Sequence, residues 1–346
     1  MTINAHLLYE YSPQIKGYLQ AQLDPAVRLT GGEESAHAGD IHILIAGRPD
    51  RAIFAANPDL NTLIIPWTGI PPETRELLAD YPHVALHNLH HNATPVAEMA
   101  VTLLLAAAKN VIPFDQTLRR GDWTMRYEKP APSLSLNNKT VLILGYGEIG
   151  RRVARICRSM GMNIVATKRE IVSGQSDRFA HEIHPPQKLH ELLPLAQALV
   201  IALPLTPDTE NLIGERELSL LPSDSILVNI GRGLILNEEA LYQALKSGRL
   251  GAAGLDVWYN YPDDEKSRSS TFPANYAFWE LDNVVMSPHR AGLVNEIDYL
   301  RMDHLAVLLN AAAKNHPLLN KVQPLTQFFP LLQPRVPIGL SPRPHG

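Results

Sequence analysis

Short apolar runs bounded by turn residues, with helix-length stretches between them, recur along the chain in two groups. This alternation marks parallel sheets covered by helices on both faces, because strands buried on both sides read as continuous apolar runs. In the first third, 41–46, 63–66 and 84–86 predict buried strands, with a helix over 73–79 among the connections. The run TPVAEMAVTLLLAAA at 94–108 is apolar on nearly all sides and predicts a helix buried between two layers, the connection between domains. A second alternation fills 138–288: TVLILG, NIVAT, ALVIALP, SILVNIG, AAGLDV and NVVMSPH are strand candidates, with a helix over 149–160 after the first. A helical run over 295–314 is expected to return to the first group, so that the chain crosses between domains twice.

The 346 residues suffice for two domains at roughly 150 residues each. The pattern predicts an α/β protein in which a doubly wound domain at 108–290 is inserted into a smaller domain made of 1–107 and 291–322. Six prolines crowd the end of the chain, so 323–346 is expected to be an extended Pro-rich tail. A net charge of −4 lacks the basic footprint of a protein held to nucleic acid. One cysteine, Cys157, can build neither an internal disulfide nor a thiolate metal cluster, which fits a reducing compartment. No stretch reaches about 18 uninterrupted apolar residues and no basic leader precedes an apolar run, so the expectation is a cytoplasmic protein without a membrane partner.

The chemistry begins where Val141–Leu144 runs into Gly145, Tyr146, Gly147, Glu148, Ile149, Gly150, a GxGxxG between a predicted strand and a predicted helix. In that context Gly145 permits the tight turn, Gly147 lets backbone approach a pyrophosphate, and Gly150 lets helix lie close on strand. The next strand, 163–167, ends at Lys168 and Arg169, where an NAD enzyme would carry an acid for the ribose hydroxyls. Two cations suit a 2′-phosphate, so the site reads as NADP with NAD as the alternative; Glu170 is the competing ribose ligand. Three further strand ends carry polar groups, 229–232, Asp256 and His289, and ligands of open α/β sheets bind at carboxyl ends of strands. Hydride transfer to a ketone needs a cation for the carboxylate and carbonyl and a proton donor for the oxygen, which Arg232 and His289 would supply.

With VAEM at 96–99, GDW at 121–123, LGYGEIG at 144–150, LPLTPDTENLIG at 203–214, VNIGRG at 228–233, GLDVW at 254–258 and SPHRAG at 287–292, the chain resembles the D-isomer-specific 2-hydroxyacid dehydrogenase family, which includes glyoxylate and hydroxypyruvate reductases. The resemblance implies a Rossmann-type nucleotide domain inserted in a flavodoxin-like substrate domain, a homodimer, and a small 2-oxo or 2-hydroxy acid substrate. It further implies that Arg232 is the substrate arginine, His289 the acid/base, and Asp256 a ligand of the nicotinamide carboxamide. Leu203, Pro204, Thr209, Ile230 and Gly231 would line the cofactor with Glu148 and Ile149, and Thr68 and Gly69 would hold the substrate carboxylate through loop amides.

One departure stands out: where the family places a glutamate that pairs with the histidine, this chain has Tyr261 before Pro262. Asp263, Asp264 or Glu265 offers a replacement charge by a small register shift. The broken dyad also keeps two rivals open, a cofactor-sensing protein with decayed catalysis and a formate-dehydrogenase-like enzyme that needs no proton relay. The stretch at His87, Asn88, Leu89, His90, His91, Asn92 lacks a carboxylate at ligand spacing; no metal is expected, and His91 or Asn92 is read as a pocket-facing polar group or helix cap. Thr94 and Glu98 are read as lining that helix.

Overall fold

A computed structural model describes residues 2–32, 36, 39–129 and 132–322, so the Pro-rich tail at 323–346 lies outside the described residues. The first domain runs β1 (Ile3–Leu7), α1 (Pro13–Gln20), β2 (Val27–Gly31), β3 (Ile43–Ile45), α2 (Arg51–Ala56), β4 (Thr62–Ile65), α3 (Pro72–Ala79) and β5 (Ala85–Asn88). The strands pair in parallel in the order β2-β1-β3-β4-β5, the flavodoxin-like arrangement. Successive side chains of a strand face opposite ways, so the apolar runs feed two cores at once. Ala5, Leu7, Ile43, Ile45 and Ile64 pack with Ile15 and Leu19 of α1 on one face, while Leu44, Leu63 and Ile65 pack with Ile53 and Phe54 of α2 on the other.

Two strands here have no apolar run to announce them. β1 carries His6, fully buried because its Nδ1 and Nε2 lie 2.8 Å from Thr30 Oγ1 and 3.0 Å from the Gly32 carbonyl. β2 is an edge strand with polar and partly exposed positions.

The chain continues as α4 (Ala93–Ala108), α5 (Val111–Leu118), β6 (Thr140–Leu144), α6 (Glu148–Ser159), β7 (Asn163–Thr167), β8 (Glu182–His184), α7 (Leu189–Leu192), β9 (Ala198–Ile201), α8 (Glu215–Leu220), β10 (Ile226–Asn229), α9 (Glu238–Lys246), β11 (Ala252–Leu255), β12 (Val284–Met286) and α10 (Ile297–Ala313). β6 to β12 form one parallel sheet in the order β12-β11-β10-β9-β6-β7-β8. The order reverses between β6 and β9, which is the switch point at which a doubly wound sheet opens a ligand crevice. β8, a three-residue edge strand, is too short to show in the pattern.

α10 returns to the first domain as expected, burying Met302, Leu305 and Leu309 against β1 and β3. Val96, Ala97, Ala100, Val101 and Leu104 of α4 share a core with Val141, Ile143, Val200 and Val228 of the second sheet. Gly254 of β11 permits this: a Cβ there would stand 2.7 Å from Leu103 Cβ. By packing, α4 joins the core of the second sheet, although its residues up to 107 were expected to belong with the first. Among the described residues no single helix is long and apolar enough to cross a membrane.

Candidate active site

The glycine turn has the geometry that its residue types require. Gly145 has φ +98°, and a Cβ on it would stand 2.6 Å from the Ala202 carbonyl oxygen. At Gly150 a Cβ would meet the Gly145 carbonyl oxygen at 2.1 Å, so helix and turn touch backbone to backbone. Gly147 is different: a Cβ there meets nothing within 4 Å, which leaves open space beside the first turn of α6. Gly147 is the N-cap of α6 and no side chain caps the helix, so the amides of Glu148, Ile149 and Gly150 face an uncapped end suited to an anion. These residues fit a dinucleotide pyrophosphate.

β7 ends at Thr167, as the apolar pattern predicts, and Lys168, Arg169 and Glu170 follow as exposed residues. Among the described residues, no side chain pairs with those of Lys168 and Arg169. On the other side of the switch point, a Cβ on Gly231 would lie 2.6 Å from the Leu203 carbonyl oxygen, so the loops after β9 and β10 approach closely. Thr209 ties its own turn, its hydroxyl donating to Pro204 O at 2.7 Å and accepting from Thr206 N–H at 2.8 Å. Ile230 is buried, its amide donating to Ile201 O. Leu203, Pro204 and Thr209 thus shape the loop, and Thr209 acts on it from within.

Arg232 leaves the end of β10 on a loop braced by Asn229, whose Oδ1 accepts from Gly231 N–H at 3.0 Å and whose Nδ2 donates to Arg232 O at 2.9 Å. Its guanidinium reaches across to the first domain: a Cβ on Gly69 would stand 2.6 Å from Nη2. Gly69 therefore matters as a missing side chain. The loop that carries it is fixed by Thr68, whose hydroxyl lies 3.1 Å from Leu89 O and 2.9 Å from Asn92 Oδ1, and by Asn88 Nδ2 donating to Thr68 O at 2.6 Å. Asn92 makes no side-chain cap on α4; its Oδ1 accepts from the Thr68 hydroxyl, and a Cβ on Gly292 would stand 2.8 Å from its Nδ2. That corrects the cap reading for Asn92.

His289 follows β12 with φ +55°, and its Nδ1 lies 3.0 Å from the Tyr261 hydroxyl oxygen. Tyr261 Oη also accepts from Trp258 N–H at 3.1 Å; toward Nδ1 the hydroxyl donates to a neutral imidazole and accepts from the imidazolium. Tyr261 therefore occupies the partner position itself. Two of the acidic residues beside it are engaged elsewhere, Asp264 with Ser267 N–H and Glu265 with Arg268. Burial and the Arg232 guanidinium hold the imidazole of His289 below its usual range, against the opposing pull of Asp256, and burial raises the Tyr261 phenol.

Asp256 is 1% exposed, and its carboxylate accepts from Ser287 Oγ, Arg290 N–H at 2.9 Å and Ala291 N–H at 3.0 Å. Asp256 thereby fixes the 287–291 segment that carries His289, a task that its sequence position did not reveal. The roles of Trp258, Ser287 and Asn229 were likewise hidden, since each acts through a backbone group or a carboxylate.

The histidine run beside the cleft divides. His87 Nδ1 lies 2.8 Å from Leu319 O, whereas His91 is 4% exposed and its Nδ1 has no hydrogen-bond partner among the described residues. Burial, then Arg301, His304 and His90, push His91 down to about 3.

The chain matches the family described as D-isomer specific 2-hydroxyacid dehydrogenase, NAD binding domain, over residues 101–291, and it belongs to that family. Among particular relatives, the chain is 38% identical over 202 residues to a glyoxylate reductase of Thermococcus gammatolerans, covering 57% of this chain and 56% of that protein. It is 28% identical over 265 residues to a glycerate dehydrogenase of Methylorubrum extorquens, covering 75% and 78%. The match thus spans little more than half the length of the archaeal glyoxylate reductases. In fold, the chain is similar to a D-isomer specific 2-hydroxyacid dehydrogenase from Xanthobacter autotrophicus Py2 in complex with NADPH and MES, with TM-score 0.76, 23% identity and coverage of 94% and 99%.

Proposed function

We propose that this chain reduces a small 2-oxo acid of the glyoxylate or hydroxypyruvate type to the D-2-hydroxy acid with NADPH. The observation that carries the reading is the meeting of Arg232, from the second domain, with Gly69, from the first, beside a histidine held by Tyr261. The relatives named as glyoxylate reductases support the substrate class. When bound, the reduced nicotinamide supplies the hydride that the carbonyl carbon receives. Arg232 holds the substrate carboxylate and polarises the carbonyl, together with the amides of the Thr68–Gly69 loop. In the imidazolium of His289, Nδ1–H donates to Tyr261 Oη and the Nε2 proton is the one given to the carbonyl oxygen, which leaves a neutral imidazole. Asp256 keeps that nitrogen in place by bracing the loop. Lys168 and Arg169 take the 2′-phosphate.

The formate-type alternative shares a neutral partner at the histidine, and formate-dependent reduction of NADP separates it from this reading. A homodimer is part of the reading: Val111 at 48%, Leu118 at 50% and Trp123 at 62% exposed give the arm after α4 an apolar surface of the kind that pairs. The test is a reductase screen of glyoxylate, hydroxypyruvate, pyruvate and 2-oxobutyrate with NADPH and NADH side by side. Turnover favouring NADPH on the smaller acids is expected; no turnover of any 2-oxo acid with either cofactor would overturn the reading.

A further inference from the structure

Tyr146 stands between the first two glycines of the turn, yet it is only 3% exposed and its hydroxyl is used. Its amide donates to Thr167 O at 2.8 Å, which ties the glycine turn to the end of β7, one residue before Lys168. Its hydroxyl donates to Asp177 Oδ1 at 2.7 Å, and that same oxygen accepts from Phe179 N–H at 2.8 Å and Ala180 N–H at 2.9 Å. Asp177 Oδ2 lies 3.7 Å from Arg151 Nε, on the first turns of α6. Burial and the bond to Asp177 both raise the Tyr146 phenol, so it stays a donor throughout the working pH range.

The segment joined in this way is the one that opens with Lys168 and Arg169. It is anchored at its ends by Lys168 N–H on His184 O and His181 N–H on Ile164 O, both at 2.9 Å. Between those ends Ser173 Oγ lies 2.7 Å from His184 Nδ1 and Gly174 N–H donates to Ile183 O, while Tyr146 and Arg151 make the polar side-chain links to the glycine turn and α6 among the described residues. The arrangement has two effects on an anion held beside Lys168. It fixes the path of the loop relative to the turn that binds the pyrophosphate. It also gives the Asp177 carboxylate three hydrogen-bond donors and the Arg151 cation, which quench a negative charge that would otherwise oppose a phosphate.

We propose that Tyr146 and Asp177 form a latch that positions the 168–181 segment for the 2′-phosphate, making Tyr146 a specificity-determining positioning residue that never touches the cofactor. The inference rests on the NADPH reading above. It is tested with Tyr146→Phe, which keeps the ring and removes only the donor, and with Asp177→Ala, which removes the acceptor of that hydroxyl. For each, kcat/KM is measured with NADPH and with NADH, and the unfolding midpoint is recorded. The expected result for Tyr146→Phe is a ratio of NADPH to NADH kcat/KM lowered about five- to tenfold, through KM for NADPH, with the NADH values nearly unchanged. Asp177→Ala is expected to shift the ratio in the same direction and serves if Tyr146→Phe does not fold. An unchanged ratio in folded variants, or an equal loss with both cofactors, overturns the latch and leaves the NADPH reading standing. A wild-type protein that prefers NADH overturns the NADPH reading first, and the latch with it.

Discussion

Replacing Tyr261 by glutamate puts a full charge beside His289, and its effect can be worked from the geometry. The phenol oxygen lies 3.0 Å from Nδ1. A glutamate is shorter, so its carboxylate would stand about 4–5 Å from the ring nitrogen, at a position that is 47% exposed as tyrosine and therefore partly screened by water. With an effective dielectric of about 40, the attraction is about 1.7–2 kcal/mol, a rise of about 1–1.5 pKa units for the imidazole. The sign follows from the chemistry: a carboxylate favours imidazolium, reduction consumes the protonated form, and so the alkaline limb of kcat moves to higher pH. In the wild type that limb should lie low, because burial and Arg232 already hold His289 below its usual range. The assay is the pH profile of kcat for glyoxylate reduction by NADPH, with Tyr261→Phe as the uncharged control whose limb does not move upward. A folded, active Tyr261→Glu variant with an unmoved alkaline limb would refute the pairing of position 261 with the proton donor.

Lys168→Asp should lower the NADPH-to-NADH preference by tenfold or more, since each charge-assisted contact is worth about 1.5–3 kcal/mol; an unchanged ratio of kcat/KM would count against the cationic strand end as the selector. Gly69→Ala puts a Cβ 2.6 Å from Arg232 Nη2, so the flexible guanidinium must move. KM for the 2-oxo acid should rise about tenfold without a change in unfolding midpoint. His91, pushed down to about 3, is neutral in the fold and charges only in the unfolded chain, so its stability contribution is full above pH 6.5 and is lost as pH falls toward 3. The slope from this one group is at most about 1.4 kcal/mol per pH unit, and His91→Gln should flatten the acid limb of denaturant-measured stability if the variant folds.

Much of this architecture was legible because buried parallel strands are apolar on both faces. The runs at 41–46, 63–66 and 140–144 therefore announced themselves, as did the two long helices. β1 was hidden by a buried histidine whose partners lie in other strands, and β2 and β8 by their place at sheet edges, where burial no longer dictates composition. The packing of α4 was hidden for a related reason, since an all-apolar helix states that it is buried but not against which sheet. At the site, residue types at strand ends pointed to Arg232, His289 and the glycine turn. What sequence could not disclose was how Asp256, Asn229 and Trp258 hold those groups through single hydrogen bonds, nor that Tyr261 and not the adjacent acids meets His289.

The central claim is that one crevice combines a nucleotide site with a proton-donating His289. Steady-state glyoxylate reduction and equilibrium NADPH binding, both measured on His289→Ala, test it most directly. A kcat lowered roughly 10²–10⁴-fold with NADPH affinity kept within about twofold is the predicted result. Reduction at the wild-type kcat would contradict it.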